Sequence, residues 1–217
     1  MRKLLYIILF VVLFIWFFIY TFPVDIVIGH YLNKYNINYK NISGNLLQIK
    51  IEEVSYSNFK ASNIVITPRI LEINIDINRQ IKAKIKPNKT VIINAKDIKL
   101  EDYQIEPILY GKLRTQLKVF IDQKFITLDG NFVLNIREFK TYGLTNLNID
   151  TKLTKKEKST KVDSTLTGST INGKFNGELI IPAQNIYNTK ITGLFEGKLY
   201  GNTIRQQITI NPFKYLR

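Results

Sequence analysis

The sequence predicts a mainly β protein: an N-terminal transmembrane helix followed by a curved antiparallel β meander, either folded over on itself or open as a groove. Three observations predict it. An uncharged apolar run, Leu4 to Phe22, follows Arg2 and Lys3. Beyond it, apolar and polar residues alternate with period two over long stretches. Turn-forming residues punctuate that alternation at short intervals.

The apolar run comes first. At ~1.5 Å per helical residue its length is roughly 28 Å, close to the ~30 Å hydrocarbon thickness of a bilayer. A cleavable signal has a shorter apolar core, about 7 to 15 residues, and a small-x-small cleavage site. Here the run ends in Trp16, Phe17, Phe18, Tyr20, Phe22 and Pro23. The expectation is an uncleaved anchor over residues 1–23, with Leu4, Phe10, Phe14, Trp16, Phe18 and Phe22 among the side chains that meet lipid. Aromatic residues suit an interfacial belt, and a preceding basic pair favours a cytoplasmic start. The rest of the chain is then expected on the periplasmic side of a bacterial inner membrane.

Residues 24–40 read as a juxtamembrane linker. Val24, Val27, Ile28, Tyr31 and Leu32 fall at helical spacing within it, so a short helix at the membrane surface is expected.

From residue 41 to 217 the pattern is that of strands with one buried and one wet face. Leu71, Ile73, Ile75 and Ile77 alternate with Glu72, Asn74, Asp76 and Asn78, and Ile81, Ala83 and Ile85 continue the run. Leu117, Val119 and Ile121 repeat the alternation, as do Phe132, Leu134 and Ile136. Leu71, Ile73, Ile75, Ile77, Leu117, Val119, Ile121, Phe132, Leu134 and Ile136 are the candidate stripe, filling a core or lining a groove. Turns are expected at Ser43-Gly44-Asn45, Pro87-Asn88, Asp129-Gly130-Asn131, Tyr142-Gly143, Asn172-Gly173, Asn176-Gly177 and Gly201-Asn202. Short connections imply antiparallel neighbours, and usual strand lengths give about ten to thirteen of them. The tract Thr151 to Lys161 reads as an exposed hairpin tip, with Lys152, Lys155, Lys156, Lys158 and Lys161 as candidate contacts for anionic headgroups. Strong curvature is expected along the glycine-rich tract Gly193 to Gly201.

The net charge of +14 admits nucleic acid, anionic lipid or an acidic partner. Export behind an anchor argues against nucleic acid, and the lysines are scattered through the strand-like segments. With no cysteine, neither disulfides nor thiolate metal sites hold the fold. His30 is the single histidine, too isolated to build a base or a metal site around. Glu52-Glu53 and Glu101-Asp102 are sequence neighbours, so on a strand they point to opposite faces. No phosphate loop, dinucleotide fingerprint or serine elbow occurs. A non-enzyme without a cofactor is expected.

The order of features resembles the type II secretion system protein N family. In that family a glycine-containing opening strand precedes a short strand pair and a proline-leucine step. Ile42-Ser43-Gly44-Asn45-Leu46-Leu47 stands at the opening, Ala61-Ser62-Asn63-Ile64-Val65-Ile66 at the second strand, and Pro68-Arg69-Ile70-Leu71 at the step. Leu47 replaces the family's tryptophan and Ile49 its second glycine. The resemblance implies an accessory role in type II secretion, with other secretion-system proteins as partners. AsmA-like and lipopolysaccharide-transport (LptC-like) β-groove proteins are similar in layout, and that second likeness implies lipid handling or transport.

Overall fold

The computed structural model describes residues 2–56, 59–103, 110–139 and 144–212. It is mainly β. Among the described residues two α-helices, α1 (Arg2–Thr21) and α2 (Val24–Lys34), precede thirteen strands. Contacts divide the chain into two compact units, residues 1–79 and 80–217.

In the first unit, α1 ends where Pro23, which has no N–H to donate, interrupts the helical ladder. Phe22 N–H still reaches Phe18 O at 3.0 Å, and Thr21 Oγ1 donates to Phe17 O at 2.8 Å. The following helix has Asp25 in its first turn and Lys34 in its last, matching the sign of its dipole at both ends. Among the described residues no single helix is long and apolar enough to cross a membrane; Tyr6–Thr21 and Val24–Lys34 meet that criterion as a pair, bent by 46°.

Four strands complete this unit: β1 (Asn41–Asn45), β2 (Gln48–Tyr56), β3 (Phe59–Arg69) and β4 (Glu72–Ile77), each antiparallel to the next. Their register places one isoleucine from every strand in a single row, Ile42 against Ile51, Ile51 against Ile64, Ile64 against Ile77. Ile49, Ile66 and Ile75 form a second row. A sheet cannot bury such a face alone. Val24, Ile28 and Leu32 of α2 cover it, joining Ile42, Ile49, Ile51, Val54 and Ala61 in one core. The linker helix is thus part of the fold's packing.

In the second unit the strands are β5 (Ile81–Ile85), β6 (Thr90–Lys99), β7 (Tyr110–Ile121), β8 (Phe125–Phe139), β9 (Leu144–Lys155), β10 (Thr160–Thr167), β11 (Ile171–Pro182), β12 (Lys190–Leu199) and β13 (Asn202–Ile210). Each is antiparallel to its successor. One further pairing closes a ring. The start of β8 meets the end of β11, Ile126 opposite Ile181 and Phe125 opposite Pro182. Because this pairing skips β9 and β10, the four strands must curl around a common interior. Leu153, Val162 and Leu179 are buried there, packed by Leu128, Phe132, Phe175 and Ile181. Thr160 is fully buried, and its Oγ1 accepts from Leu128 N–H at 2.8 Å, tying β10 to β8 across the ring. Gly130 lies at φ 138°, a conformation strained for any other residue, and lets β8 bend inside the ring.

Several expectations are corrected. Asp129-Gly130-Asn131, Asn172-Gly173 and Asn176-Gly177 are not turns but lie inside β8 and β11, and Gly44 lies inside β1. Their glycines serve bends and close approaches within strands. Tyr142-Gly143 lies outside the described residues. The alternation from Leu71 to Ile85 is not one strand: Asn78 and Arg79, at φ 53° and 59°, form a left-handed turn that ends β4. Leu71 is 73% exposed in the turn before β4, so it is no part of the stripe. The tract Thr151 to Lys161 is the β9–β10 hairpin, with Lys152, Lys155, Lys156, Lys158 and Lys161 exposed, but it is not solvated throughout: Thr151, Leu153, Ser159 and Thr160 are buried. Its short turn is closed by Lys156 N–H, bonded to Ser159 O at 2.9 Å.

Candidate functional site: an apolar helix and a one-sided sheet

The exposed surface of α1 is apolar on every side. Phe10 is 70% exposed and Trp16 60%, and from Tyr6 to Phe18 every described side chain is exposed. Phe10 stacks on Phe14 at 6.4 Å between ring centres, Trp16 tilts against Tyr20 at 5.0 Å, and Phe18 meets Phe22 edge-on at 5.4 Å. Phe22 alone of these aromatics turns toward the core of its unit. Covering a large apolar side chain is worth about 1.5–3 kcal/mol. A helix with a dozen such side chains in water is therefore driven strongly toward an apolar environment. Leu4 belongs to the same helix by its backbone.

The second unit's sheet is two-faced. On β7, Leu113, Leu117, Val119 and Ile121 alternate with Lys112, Arg114, Gln116 and Lys118. Register carries the apolar side onward: Leu113 lies opposite Leu134, Thr115 opposite Phe132, and Val119 opposite Leu128. Leu134 then faces Ile149, and Ile136 faces Leu147. The candidate residues of β7 and β8 thus share one face, the side that fills the ring. Outside the ring's interior that face is less covered: Ile121, opposite the ring-closing Ile126, is 41% exposed, Ile85 37% and Ile210 41%. In the first unit, Ile75 and Ile77 are half-buried in the two isoleucine rows, and Ile73 is 40% exposed opposite Pro68.

A motif missed in the sequence reading lies on the same face. Gly-x-Phe-x-Gly occurs at Gly173 to Gly177 and again at Gly193 to Gly197. Register sets Phe175 opposite Phe195, with Gly177 opposite Gly193 and Gly173 opposite Gly197. A Cβ on Gly193 would lie 2.6 Å from Phe175 Cζ, and one on Gly173 would lie 2.9 Å from Phe195 Cζ. The tip of each ring therefore lies against a glycine pair. The lining here is smooth, made of aromatic rings and bare backbone. The signal available in sequence was the repetition itself.

The five candidate headgroup lysines are not equivalent. Lys161 pairs with Asp163 at 2.8 Å, Lys156 with Glu178 at 3.4 Å, and Lys155 Nζ sits 4.0 Å from the centre of the Phe120 ring. Lys152 and Lys158 are exposed. Glu178 also accepts from Ser159 Oγ at 2.5 Å, and that bond, with the charge of Lys156, holds its carboxyl below the usual range.

The expected division of the acidic neighbours does not hold. Ile51 and Val54 are both buried in the core, so Glu52 and Glu53 between them, the latter at φ 51°, both face outward, and Glu101 and Asp102 lie in a 3-10 turn, Leu100–Tyr103, instead of a strand. Glu53 takes Lys40 and Glu52 takes Lys50, both at 2.5 Å, and Lys50 holds the Glu52 carboxyl low. Glu101 Oε2 accepts from Gly111 N–H at 3.2 Å. His30 is exposed on α2 beside Tyr31. No group of three metal-type ligands occurs among the described residues. No family model, curated protein or solved structure matches the chain.

Proposed function

We propose that the protein is a non-catalytic, membrane-tethered β protein that shields the acyl chains of lipids on the apolar face of its second unit. The observation that carries this reading is one face with two degrees of filling. Inside the β8–β11 ring its side chains make a packed core, whereas Ile85 on β5 and Ile121 on β7, the latter beside the ring's closing pair, remain more than a third exposed. Apolar surface left in this state gains free energy from any apolar occupant. The tether supports lipid as that occupant: α1, exposed and apolar on all sides, holds the chain where acyl chains are concentrated. The bent α1–α2 pair is then the membrane attachment, and Arg2 and Lys3 favour a cytoplasmic start with the sheet in the periplasm.

The test is mass spectrometry of lipids that stay with the full chain through exhaustive detergent exchange. Retained acyl lipid in near-stoichiometric amount is expected. A lipid-free preparation whose β5–β7 amides resist hydrogen exchange as strongly as those of the ring would contradict it. That result would favour a filled scaffold that binds proteins, the accessory secretion role implied by residues 42–71.

A further inference from the structure

The opposite, polar face of the second unit carries a depression of about 610 Å³ over β6 to β9, lined by Lys99, Lys112, Arg137, Glu101, Asn135 and Asn148 among others. Its charges are arranged unusually. Lys99 and Lys112 stand directly opposite one another in the β6–β7 register. Like charges so placed in a sheet repel and destabilise it. Lys112, Asn135 and Asn148 form one row across β7, β8 and β9. Arg137 is the extra residue of a bulge in β8, where Tyr110 pairs with Glu138 but Gly111 pairs with Ile136.

One carboxylate stands among these lining residues. Glu101 Oε2 accepts from Gly111 N–H at 3.2 Å, and a bond from its own backbone N–H, with the charges of Lys99 and Arg137, helps hold its carboxyl low, so it offsets one of the three positive charges and leaves two. A second depression nearby offers an internal contrast: there Arg114 Nε is paired with Asp97 at 2.6 Å. Three cations around one engaged carboxylate, with carboxamides beside them as further donors, suit a compact dianion. Arg supplies a planar fork for phosphate oxygens and Lys a point charge.

We propose that Lys99, Lys112 and Arg137 form a phosphate site, taking either free phosphate or the phosphate of a lipid headgroup. The site lies on the face opposite the acyl stripe and does not depend on the acyl reading.

Phosphorus NMR titration of the detergent-solubilised full chain tests it, with inorganic phosphate in one arm and dihexanoyl phosphatidic acid, below its micelle concentration, in the other. The triple variant Lys99→Gln, Lys112→Gln, Arg137→Gln is expected to lose tenfold or more in affinity. The control triple Lys118→Gln, Lys174→Gln, Lys198→Gln is expected to lose less than threefold. Tenfold tighter binding of the lipid than of phosphate assigns the site to a headgroup; equal binding assigns it to the free ion. Equal loss in both triples, or no saturable binding of either ligand, overturns the proposal. Folding is controlled by Lys99→Glu, which places an opposite charge across from Lys112. Relief of the Lys99–Lys112 repulsion is offset by the new charge near Glu101, so that variant is expected to melt close to the parent and to lose the parent's stabilisation by phosphate. Stabilisation by phosphate that survives Lys99→Glu also overturns it.

Discussion

Phe175 and Phe195 stand directly opposite each other across β11 and β12, and each ring folds away along its strand so that its tip lies against a glycine pair. Phe195 is only 7% exposed. The pairing turns four glycines, each a weak strand former, into the seats of two aromatic side chains.

Replacing Gly193 by alanine tests those seats. The new Cβ would meet Gly177 Cα and Phe175 Cζ, each at 2.6 Å, so both backbone and ring must shift. A loss of about 1–3 kcal/mol in unfolding free energy is expected from overpacking of this kind. Thr192→Ala, on the exposed side of the same strand, is expected to change stability by less than about 0.5 kcal/mol. Denaturant unfolding of the two variants makes the comparison.

Arg79 occupies a left-handed position, φ 59°, that favours glycine, directly after Asn78 at φ 53°. Asn-Gly is the preferred sequence of such a turn. Arg79→Gly is therefore expected to stabilise the protein by up to about 1 kcal/mol, the cost of a left-handed side-chain-bearing residue. A raised thermal midpoint checks it.

Docking of α2 is tested by Ile28→Ala. Ile28 packs on the isoleucine rows of β1 to β4, so its truncation is expected to cost roughly 2 kcal/mol, the low end for such a change at a partly buried site. Faster hydrogen exchange confined to 41–77 is the expected signature. Val27→Ala, on the exposed side of the helix, should leave exchange unchanged.

Acid sensitivity is carried in part by Glu178. Ser159 donates to it and Lys156 lies beside it, so its folded pKa is lowered. A depressed carboxylate contributes stability that is present above its unfolded pKa, about 4.3, and lost as pH falls through the lower folded value. Ser159→Ala removes the leading cause, so Glu178 is expected to titrate higher and the acid-unfolding midpoint to move to higher pH. The displacement should be small, because the Glu178 side chain is 44% exposed and screened by solvent. Carbonyl NMR of Glu178 across the titration reads it directly.

Much of the architecture was legible because period-two alternation is a direct consequence of strand geometry. Leu117, Val119 and Ile121 share a face for the reason that made them recognisable, and Lys118 points the other way. The helical spacing of Val24, Ile28 and Leu32 likewise marked α2, although what they pack on is set by strands more distant in sequence. Asn172-Gly173 and Asn176-Gly177 misled because the same dipeptide suits a turn and a strand that must pass close beneath an aromatic ring. Leu71 continued the alternation yet fell in a turn, since periodicity alone does not locate a strand's end. Thr151 and Thr160 lie in a lysine-rich tract that gives no local sign of burial. The ring closure that buries them joins β8 to β11, a non-local pairing that leaves no local pattern. The phosphate depression was equally hidden, because Lys99, Lys112 and Arg137 meet only through register and a bulge.

The most direct test of the central claim compares two neighbouring faces of one strand. A photoreactive benzoylphenylalanine is placed at Ile121, on the apolar side of β7, or at Lys118, on its polar side, and the full chain is irradiated in vesicles with acyl-labelled lipid. Strong lipid labelling from position 121 and little from 118 is expected. Equal labelling from both positions, or none from 121, would contradict the account.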